Sequence, residues 1–371
     1  CNKIVTRQTD KAAEYLRYLE QEMAHLAPFF AGRTVTQLHW GGGTPTYLKP
    51  DEIRQLMAML RRYFHFADEG EISIEVDPRE IELSLLDVLQ EVGFNRLSLG
   101  VQDFDKSVQV AVNRVQDNDF IRALLMRAKE LGFRSTNLDL IYGLPLQTRA
   151  SFRHTLEQVV QTAPARLSIF NYAHLPSRFA GQHKIKDETL PPPAEKLAIL
   201  QETIEYLTGE GYQYIGMDHF ALPDDELAVA QREGKLHRNF QGYTTQGECD
   251  LLGLGVSSIS MLGDAYSQNQ KDLKLYYAAV TAQGQAQWKG CALNHDDRIR
   301  RDVIKQLICN FQLSFADIAE RYALDFQDYF AQDLALLRPF VEDGLVLLDE
   351  SGIRVPATGR LLIRNICMCF D

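Results

Sequence analysis

The sequence predicts an α/β protein, built as an incomplete (β/α) TIM-like barrel with a C-terminal, mostly helical, winged-helix-like domain. Five short apolar runs have strand character, and amphipathic helical patterns separate them. Each run leads into polar residues or glycine. Three of the helices stop at a glycine followed by an aromatic residue that starts the next apolar run. Strands that alternate with helices in this way favour a parallel sheet.

The predicted strands follow one another through the first half of the chain. They are 35–40, 72–74, 97–101, 136–138 and 167–170. Crossover connections between parallel strands place all their carboxyl ends on one face, and in closed barrels that face holds the active site. The polar residues that follow the strands are therefore expected to meet at one site, which is typical of an enzyme.

The helices between the strands carry start and stop signals. Asp51 is expected to cap the helix after the first strand, whose apolar positions recur at helical spacing. Pro193 is expected to open the helix that follows the fifth strand. Gly93, Gly132 and Gly211 each follow a predicted helix, where glycine tolerates the left-handed backbone of a helix end.

The second half of the chain changes character. The pattern predicts one more strand over 212–220, then a charged excursion across the active face over 223–247. From about Asp296, helical segments lead to a hairpin, the outline of a winged helix. Acidic residues outnumber basic ones there, which favours a packing or lid role over DNA binding. We therefore divide the chain into a catalytic barrel over 1–290 and a helical domain over 291–371.

Composition narrows the possible partners. The chain has 371 residues and a formal net charge of −11, whereas non-specific binding to nucleic acid or a membrane surface requires a basic face. Neither partner is expected. The six cysteines form no C-x-x-C pair, which favours a reducing cytoplasm. Cys367 and Cys369 are expected to be buried structural residues rather than metal ligands.

Polar residues at the strand ends predict a ligand site. Gly41–Gly43 expose backbone groups, although the loop lacks the dinucleotide and phosphate-loop patterns. Glu75 can accept ribose hydroxyls or pair with an ammonium or sulfonium group, and a salt bridge to a neighbouring loop is its structural alternative. Gln102, Arg114 and Asp139 add polar groups on successive strands. No nucleophile–base pair stands out, so a cofactor is expected to perform the chemistry. Three histidines are expected to be structural: His39, His174 and His219.

Seven segments form a joint pattern along the chain: Cys1–Thr6, Trp40–Thr46, Ile74–Pro78, Gly100–Phe104, Asn137–Pro145, Met217–Ala221 and Asn239–Thr245. They resemble the radical S-adenosylmethionine enzymes, and among these the family of oxygen-independent coproporphyrinogen III oxidases. The resemblance implies oxidative decarboxylation of two propionate side chains of coproporphyrinogen III to vinyl groups. The product would be protoporphyrinogen IX, in haem biosynthesis.

The resemblance also implies two S-adenosylmethionine molecules in each active site. Gly42 and Glu75 would hold one of them, with Ile259 nearby. The second would contact Gly43, Thr44, Gln102, Arg114, Asp139 and Ala173. Reductive cleavage would give a 5′-deoxyadenosyl radical that abstracts hydrogen from a propionate.

A [4Fe–4S] cluster is the third implied component. In the family motif C-x-x-x-C-x-x-C-x-C, the first three cysteines hold the cluster, and Cys1 resembles the fourth, for which we expect a catalytic role. The three cluster ligands are therefore expected upstream of Cys1, with no metal ligand in the chain itself. We expect the chain to be a fragment that begins inside a longer enzyme and is inactive as given.

Two alternative functions stay open at this point. A related haem-binding or haem-trafficking protein would share the barrel but lack oxidase activity. A winged-helix regulator would need a basic recognition helix, which the sequence lacks. The favoured enzyme would be a cytoplasmic monomer that receives electrons from a reductant such as flavodoxin or ferredoxin. Lys184, Lys186 and Arg238 are candidates for binding the substrate propionates.

Overall fold

The computed structural model describes residues 10–247 and 249–371. Its main feature is a curved sheet with the strand order β1-β2-β3-β4-β5-β7-β6. Strands β1 to β5 are parallel neighbours, so that Leu138 pairs with Leu99 on one side and Leu167 on the other. The predicted incomplete barrel is therefore confirmed. The strands are β1 (Thr34–Trp40), β2 (His65–Val76), β3 (Arg96–Gln102), β4 (Ser135–Tyr142), β5 (Arg166–Asn171), β6 (Gln213–Gly216) and β7 (His219–Ala221).

Helices cover the outer face of this sheet. Ile74, Leu99 and Leu138 point to that face and share one core with Ile53 and Leu124 from the helices. Removal of this apolar surface from water is the main force that holds helices and sheet together. The helices are α1 (Asp10–Leu26), α2 (Pro50–Tyr63), α3 (Leu85–Glu91), α4 (Lys106–Ala111), α5 (Asn118–Glu130), α6 (Arg149–Thr162) and α7 (Pro193–Gly209). Within residues 10–247 and 249–371, no helix is long and apolar enough to cross a membrane.

The helix signals were predicted with one error. Gly93, Gly132 and Gly211 adopt φ values of 103°, 79° and 94°, which confirms their role at helix ends. Asp51 does not cap α2, because the helix already begins at Pro50, whose fixed φ suits the first helical position. The Lys49 N–H at this end donates instead to the side chain of Glu52, at 2.8 Å.

The prediction of one strand over 212–220 is wrong. The chain reverses after β6, and β7 pairs antiparallel with both β6 and β5. Gly216 and Met217 make this reversal possible with φ values of 139° and 53°. Apolar residues on both sides of the turn gave the appearance of one continuous strand.

The predicted excursion over 223–247 contains a helix and a short hairpin, and a second, small sheet follows it. The order of that sheet is β10-β11-β12. The elements are α8 (Glu226–Arg232), β8 (His237–Asn239), β9 (Gly242–Thr244), β10 (Ile259–Leu262), β11 (Ala265–Asn269), α9 (Leu273–Gln283) and β12 (Gln287–Ala292).

A buried carboxylate joins α1 to this small sheet and to α9. Glu22 is fully buried and accepts hydrogen bonds from the Gly255 N–H, the Tyr276 hydroxyl and the Asn269 amide, at 2.8, 2.8 and 2.6 Å. Burial raises the pKa of Glu22 despite these three donors. The cluster therefore fixes the first helix of the chain against a segment far along the sequence.

The C-terminal region has a core of its own, to which Val303, Phe330 and Ile366 belong. Cys367 and Cys369 are buried in it as free thiols, as predicted. A three-stranded antiparallel sheet of order β13-β15-β14 supplies the wing. The elements are α10 (His295–Asn310), β13 (Gln312–Ser314), α11 (Phe315–Tyr322), α12 (Phe326–Tyr329), α13 (Ala331–Glu342), β14 (Leu347–Leu348), β15 (Gly352–Arg354) and α14 (Ile363–Cys367). The domain division at 290/291 stays a prediction.

Candidate active site

The glycine loop after β1 brings backbone groups against the end of β2. The Gly42 N–H donates to Glu75 Oε2 at 3.1 Å. A Cβ atom at Gly41 would lie 2.5 Å from His39 Nε2 and 2.9 Å from Glu75 Oε1, so a side chain there would have to displace His39 or Glu75. A Cβ at Gly42 would meet nothing within 4 Å, although its φ of 79° favours glycine. The loop therefore contacts Glu75 on one side and leaves open space for a ligand on the other.

Glu75 lies at the carboxyl end of β2 with 45% of its side chain exposed. His39 Nε2 lies 3.5 Å from Glu75 Oε1, and His39 Nδ1 shares a hydrogen bond of 2.8 Å with Ser73 Oγ. Burial raises the pKa of Glu75, but the bonds and charge from His39 and the Gly42 N–H outweigh it, so the pKa lies below its usual value. Glu75 is therefore an ionised acceptor at the open end of the strand.

Asp77, the second carboxylate at this strand end, has a structural role. It pairs with Arg79 at 2.6 Å and with Arg114 at 3.3 Å, and only 10% of its side chain is exposed. Burial works against its charge, yet the two arginines lower the pKa of Asp77 to about 2. Within the described part of the chain, Glu75 has no arginine or lysine partner. The salt-bridge alternative therefore fits Asp77 rather than Glu75.

Two of the predicted site residues meet over β3. Arg114 donates to the Gly100 carbonyl at 2.6 Å. A Cβ at Gly100 would lie 3.1 Å from Gln102 Nε2 and 3.2 Å from an Arg114 guanidinium nitrogen. Glycine therefore gives both side chains room above the strand. Gln102 itself has a φ of 69°, which is uncommon for a residue with a side chain and often marks a functional position.

Asp139 extends the polar surface to β4. It accepts hydrogen bonds from Asn137 Nδ2 at 2.7 Å and Ser98 Oγ at 3.1 Å. Burial is the main cause that raises the pKa of Asp139 to about 6, and the charge of Glu75 adds to it. Two carboxylates in one electrostatic environment thus have pKa values shifted in opposite directions, a property that is common at functional sites.

The remaining predicted residues lie in loops beyond strand ends, in the small sheet or outside the described residues. The Thr44 carbonyl accepts from the Tyr47 N–H at 2.9 Å, and the Ala173 carbonyl accepts from Gln182 at 3.0 Å, both in loops beyond strand ends. Ile259 belongs to β10 in the small sheet rather than to the curved sheet. Cys1 lies outside the described residues. The roles assigned to all these residues stay predictions.

The polar inner face of the sheet extends beyond the site residues predicted from the sequence. His39, Ser73, Ser98, Asn137 and Ser168 line a cavity of about 150 Å³ on that face. Each comes from a different strand, and on β2 and β4 the polar residue is two positions before Glu75 or Asp139, so that both side chains point to the same face. Because strands of parallel sheets are usually apolar on both faces, polar residues at period two were the signal that could have identified this cavity.

The donor set of this surface fits S-adenosylmethionine. Carboxylates suit ribose hydroxyls and the ammonium and sulfonium groups, Arg114 suits a carboxylate, and the space beside Gly42 is open. No iron–sulfur ligand set is present in residues 10–247 and 249–371, where no cluster of three or more His, Cys, Asp or Glu could hold a metal. The described part of the chain thus fits S-adenosylmethionine and gives no ligand set for the [4Fe–4S] cluster.

Comparisons with known proteins agree with this geometry. Residues 6–159 match the Radical SAM superfamily, and residues 293–362 match the HemN C-terminal domain. The oxygen-independent coproporphyrinogen III oxidase of Escherichia coli K12 is 67% identical over all of this chain and 81% of its own length. The protein of that name from Pseudomonas aeruginosa is 51% identical, again over all of this chain and 81% of its own length.

Among solved structures, the coproporphyrinogen III oxidase (HemN) of E. coli, described as a radical SAM enzyme, matches with a TM-score of 0.99. The match has 67% sequence identity and covers 100% of this chain and 86% of that one. The chain therefore belongs to the radical SAM superfamily and, within it, to the family of oxygen-independent coproporphyrinogen III oxidases. It is an enzyme, and its family implies S-adenosylmethionine and a [4Fe–4S] cluster. The expectation that the chain as given is inactive is not borne out by these findings.

Proposed function

We propose that the protein converts coproporphyrinogen III to protoporphyrinogen IX by oxidative decarboxylation of two propionates to vinyl groups, a step of haem biosynthesis. The observation that carries this proposal is the 67% identity over the whole chain to an enzyme of that name. The polar inner face of the sheet supports it, because the face combines ligand-holding groups with little acid–base machinery.

One S-adenosylmethionine would be held by Gly42 and Glu75, with Ile259 nearby. The low pKa of Glu75 keeps its carboxylate charged, and 45% of the side chain is exposed to a ligand. An ionised carboxylate of this kind can accept both ribose hydroxyls in a bidentate arrangement. The open space beside Gly42 gives the nucleoside access to the backbone.

A second S-adenosylmethionine would occupy the neighbouring strand ends. Arg114 is suited to the carboxylate of its methionine moiety, although Asp77 already engages part of this guanidinium. Asp139, with a pKa of about 6, can hold a proton at its carboxylate or release it near neutral pH. The proposed contacts of this second molecule are Gly43, Thr44, Gln102, Arg114, Asp139 and Ala173.

The iron–sulfur cluster would be held by three cysteines that precede Cys1, and Cys1 itself would act in catalysis. When bound, the cluster and S-adenosylmethionine would together supply the radical chemistry that removes hydrogen from a propionate. The chain's own residues orient the cofactor and the substrate on the inner face and exclude water from it. We place this chemistry in the barrel over 1–290, with residues 291–371 as the second domain.

We further propose a cytoplasmic monomer that receives electrons from a flavodoxin or ferredoxin. The cysteines of the described residues are free thiols, which suits a reducing compartment. Nucleic acid and membranes are not proposed as partners, because a net charge of −11 opposes both.

An anaerobic assay tests the proposed function. Intact protein with its cluster is mixed with a reductant, S-adenosylmethionine and coproporphyrinogen III, and the porphyrinogen is followed by mass spectrometry. We expect two losses of CO2, each with two hydrogens, and consumption of at least one S-adenosylmethionine per vinyl group. Cleavage of S-adenosylmethionine with intact porphyrinogen and tight haem binding would favour the haem-trafficking alternative instead.

A further inference from the structure

Three arginines from distant parts of the chain converge on the turn between β6 and β7. Arg364, which belongs to α14, lies 3.5 Å from the carboxylate of Asp218 in this turn. The guanidinium of Arg360 rests 4.4 Å from the ring centre of Phe311. These two arginines come from the C-terminal region, whereas the third, Arg238, comes from β8.

The rings beneath two of these arginines meet at one glycine. Arg238 lies 5.6 Å from the ring centre of Tyr243. A Cβ atom at Gly216 would lie 2.7 Å from the Tyr243 hydroxyl and 2.8 Å from Phe311 Cζ, so both rings touch this point. Arg238 and Arg360 therefore each lie against a ring that reaches Gly216.

The positive charge of this region exceeds its negative charge. In the described part of the chain, Arg238 and Arg360 have no carboxylate partner, and the Nε atoms of both are buried without a hydrogen bond. Asp218 is the carboxylate that faces the group. Burial lowers the pKa of Arg360, as expected for a cation without a nearby anion. Arg238 and Arg360 are partly buried, and partly buried cations usually have a partner, so an anion from outside the chain fits here.

The region adjoins the carboxyl end of the curved sheet. Tyr142, the last residue of β4, is within electrostatic range of Asp218 and Arg364. The ring of Phe170, near the end of β5, lies 6.0 Å from the ring of His219. His219 lines the inner cavity, and its buried Nδ1 has no hydrogen-bond partner among the described residues. The arginines are thus beside the strand ends at which the cofactor is proposed to bind.

We propose that Arg238, Arg360 and Arg364 form a subsite for carboxylate groups of the tetrapyrrole substrate. The inference rests on the proposed function, whose substrate carries four propionates. A guanidinium presents a planar pair of donors that matches a carboxylate, and an aromatic ring beneath it holds its orientation. Two of the three cations come from the C-terminal region, which thereby takes part in substrate recognition. Lys184 and Lys186, the other predicted candidates, are exposed.

The experiment titrates the intact, cluster-containing protein with coproporphyrin III and with its tetramethyl ester, and follows fluorescence. For Arg238→Gln and Arg360→Gln, we expect affinity for the acid to fall about ten- to a hundred-fold, the range for a hydrogen bond to a charged group. Affinity for the ester and for S-adenosylmethionine should not change. Arg238→Lys should restore part of the loss. Arg338→Gln is the matched control, because Arg338 is an exposed arginine of the C-terminal region outside the proposed subsite, and its affinity for the acid should not change.

Unchanged affinity for the acid in folded Arg238→Gln and Arg360→Gln would overturn the subsite while the wild type still turns over coproporphyrinogen. Failure of the wild type to turn it over would overturn the proposed function instead. Arg364→Gln removes a side chain that is 66% exposed, so it is expected to fold even if the other variants do not. It should lose affinity for the acid alone, and equal losses for acid and ester would also contradict the subsite.

Discussion

Two carboxylates of this protein, Glu22 and Glu75, illustrate how a structural cluster differs from a candidate binding site. Glu22 is fully buried, and three donors from separate segments fill its acceptor positions. Glu75 has 45% of its side chain exposed and contacts only the Gly42 N–H and His39 in the described structure. The first carboxylate is saturated by the protein, whereas the second retains acceptor capacity for a ligand.

The same contrast separates the two faces of the curved sheet. Residues such as Ile74 and Leu138 are completely buried against helices on the outer face. On the inner face, Asp139 and Asn137 hydrogen-bond to each other beside open space. We infer that the outer face contributes mainly to stability and that the inner face contributes mainly to binding.

The largest effect on stability is expected for Glu22→Ala. The substitution leaves the Gly255, Tyr276 and Asn269 donors without their acceptor, and each buried donor left unsatisfied costs about 1–3 kcal/mol. Urea unfolding measures the difference. Glu14→Ala, on the exposed side of the same helix, should change the free energy of unfolding by less than about 0.5 kcal/mol. Equal effects of both substitutions would contradict the structural role of Glu22.

A smaller, pH-dependent effect is expected for Asp139→Asn. The pKa of Asp139 is raised from 3.8 to about 6, so the native state binds the proton more tightly than the unfolded chain. Wild-type stability relative to the variant therefore falls as pH rises from about 4 to 6 and then stays constant. The asparagine variant should be more stable by about 1–3 kcal/mol at pH 7.5 and not at pH 4. Urea unfolding of both proteins across this range measures it, and a difference independent of pH would contradict the assignment.

Much of the fold could be predicted because helices and strands alternate and the strand ends are polar. The five parallel strands follow from local patterns alone. The β6–β7 reversal was missed because Gly216 is its main turn signal and Met217 adopts a left-handed backbone that its residue type does not favour. Only pairing with β5, a tertiary contact, decides where that strand ends.

Those residues of the candidate site whose own chemistry suits a ligand, at a strand end, could be predicted from the sequence. Gly42 and Glu75 were identified from the strand ends, and the structure joins them by a hydrogen bond. The partners of Glu75 were not, because His39 reaches it across neighbouring strands. Arg360 was missed for a similar reason, since only the packing of the C-terminal region brings it to the β6–β7 turn.

Calorimetric titration of S-adenosylmethionine into the intact, cluster-containing protein tests the central claim most directly. Glu75→Ala should bind the cofactor about ten- to a hundred-fold more weakly, because it removes a charged acceptor for the ribose hydroxyls. Its free energy of unfolding should change little. Glu69→Ala, at an 84% exposed position of the same strand, is the matched control and should bind normally. Unchanged affinity of folded Glu75→Ala would contradict the account and leave Glu75 with a structural role.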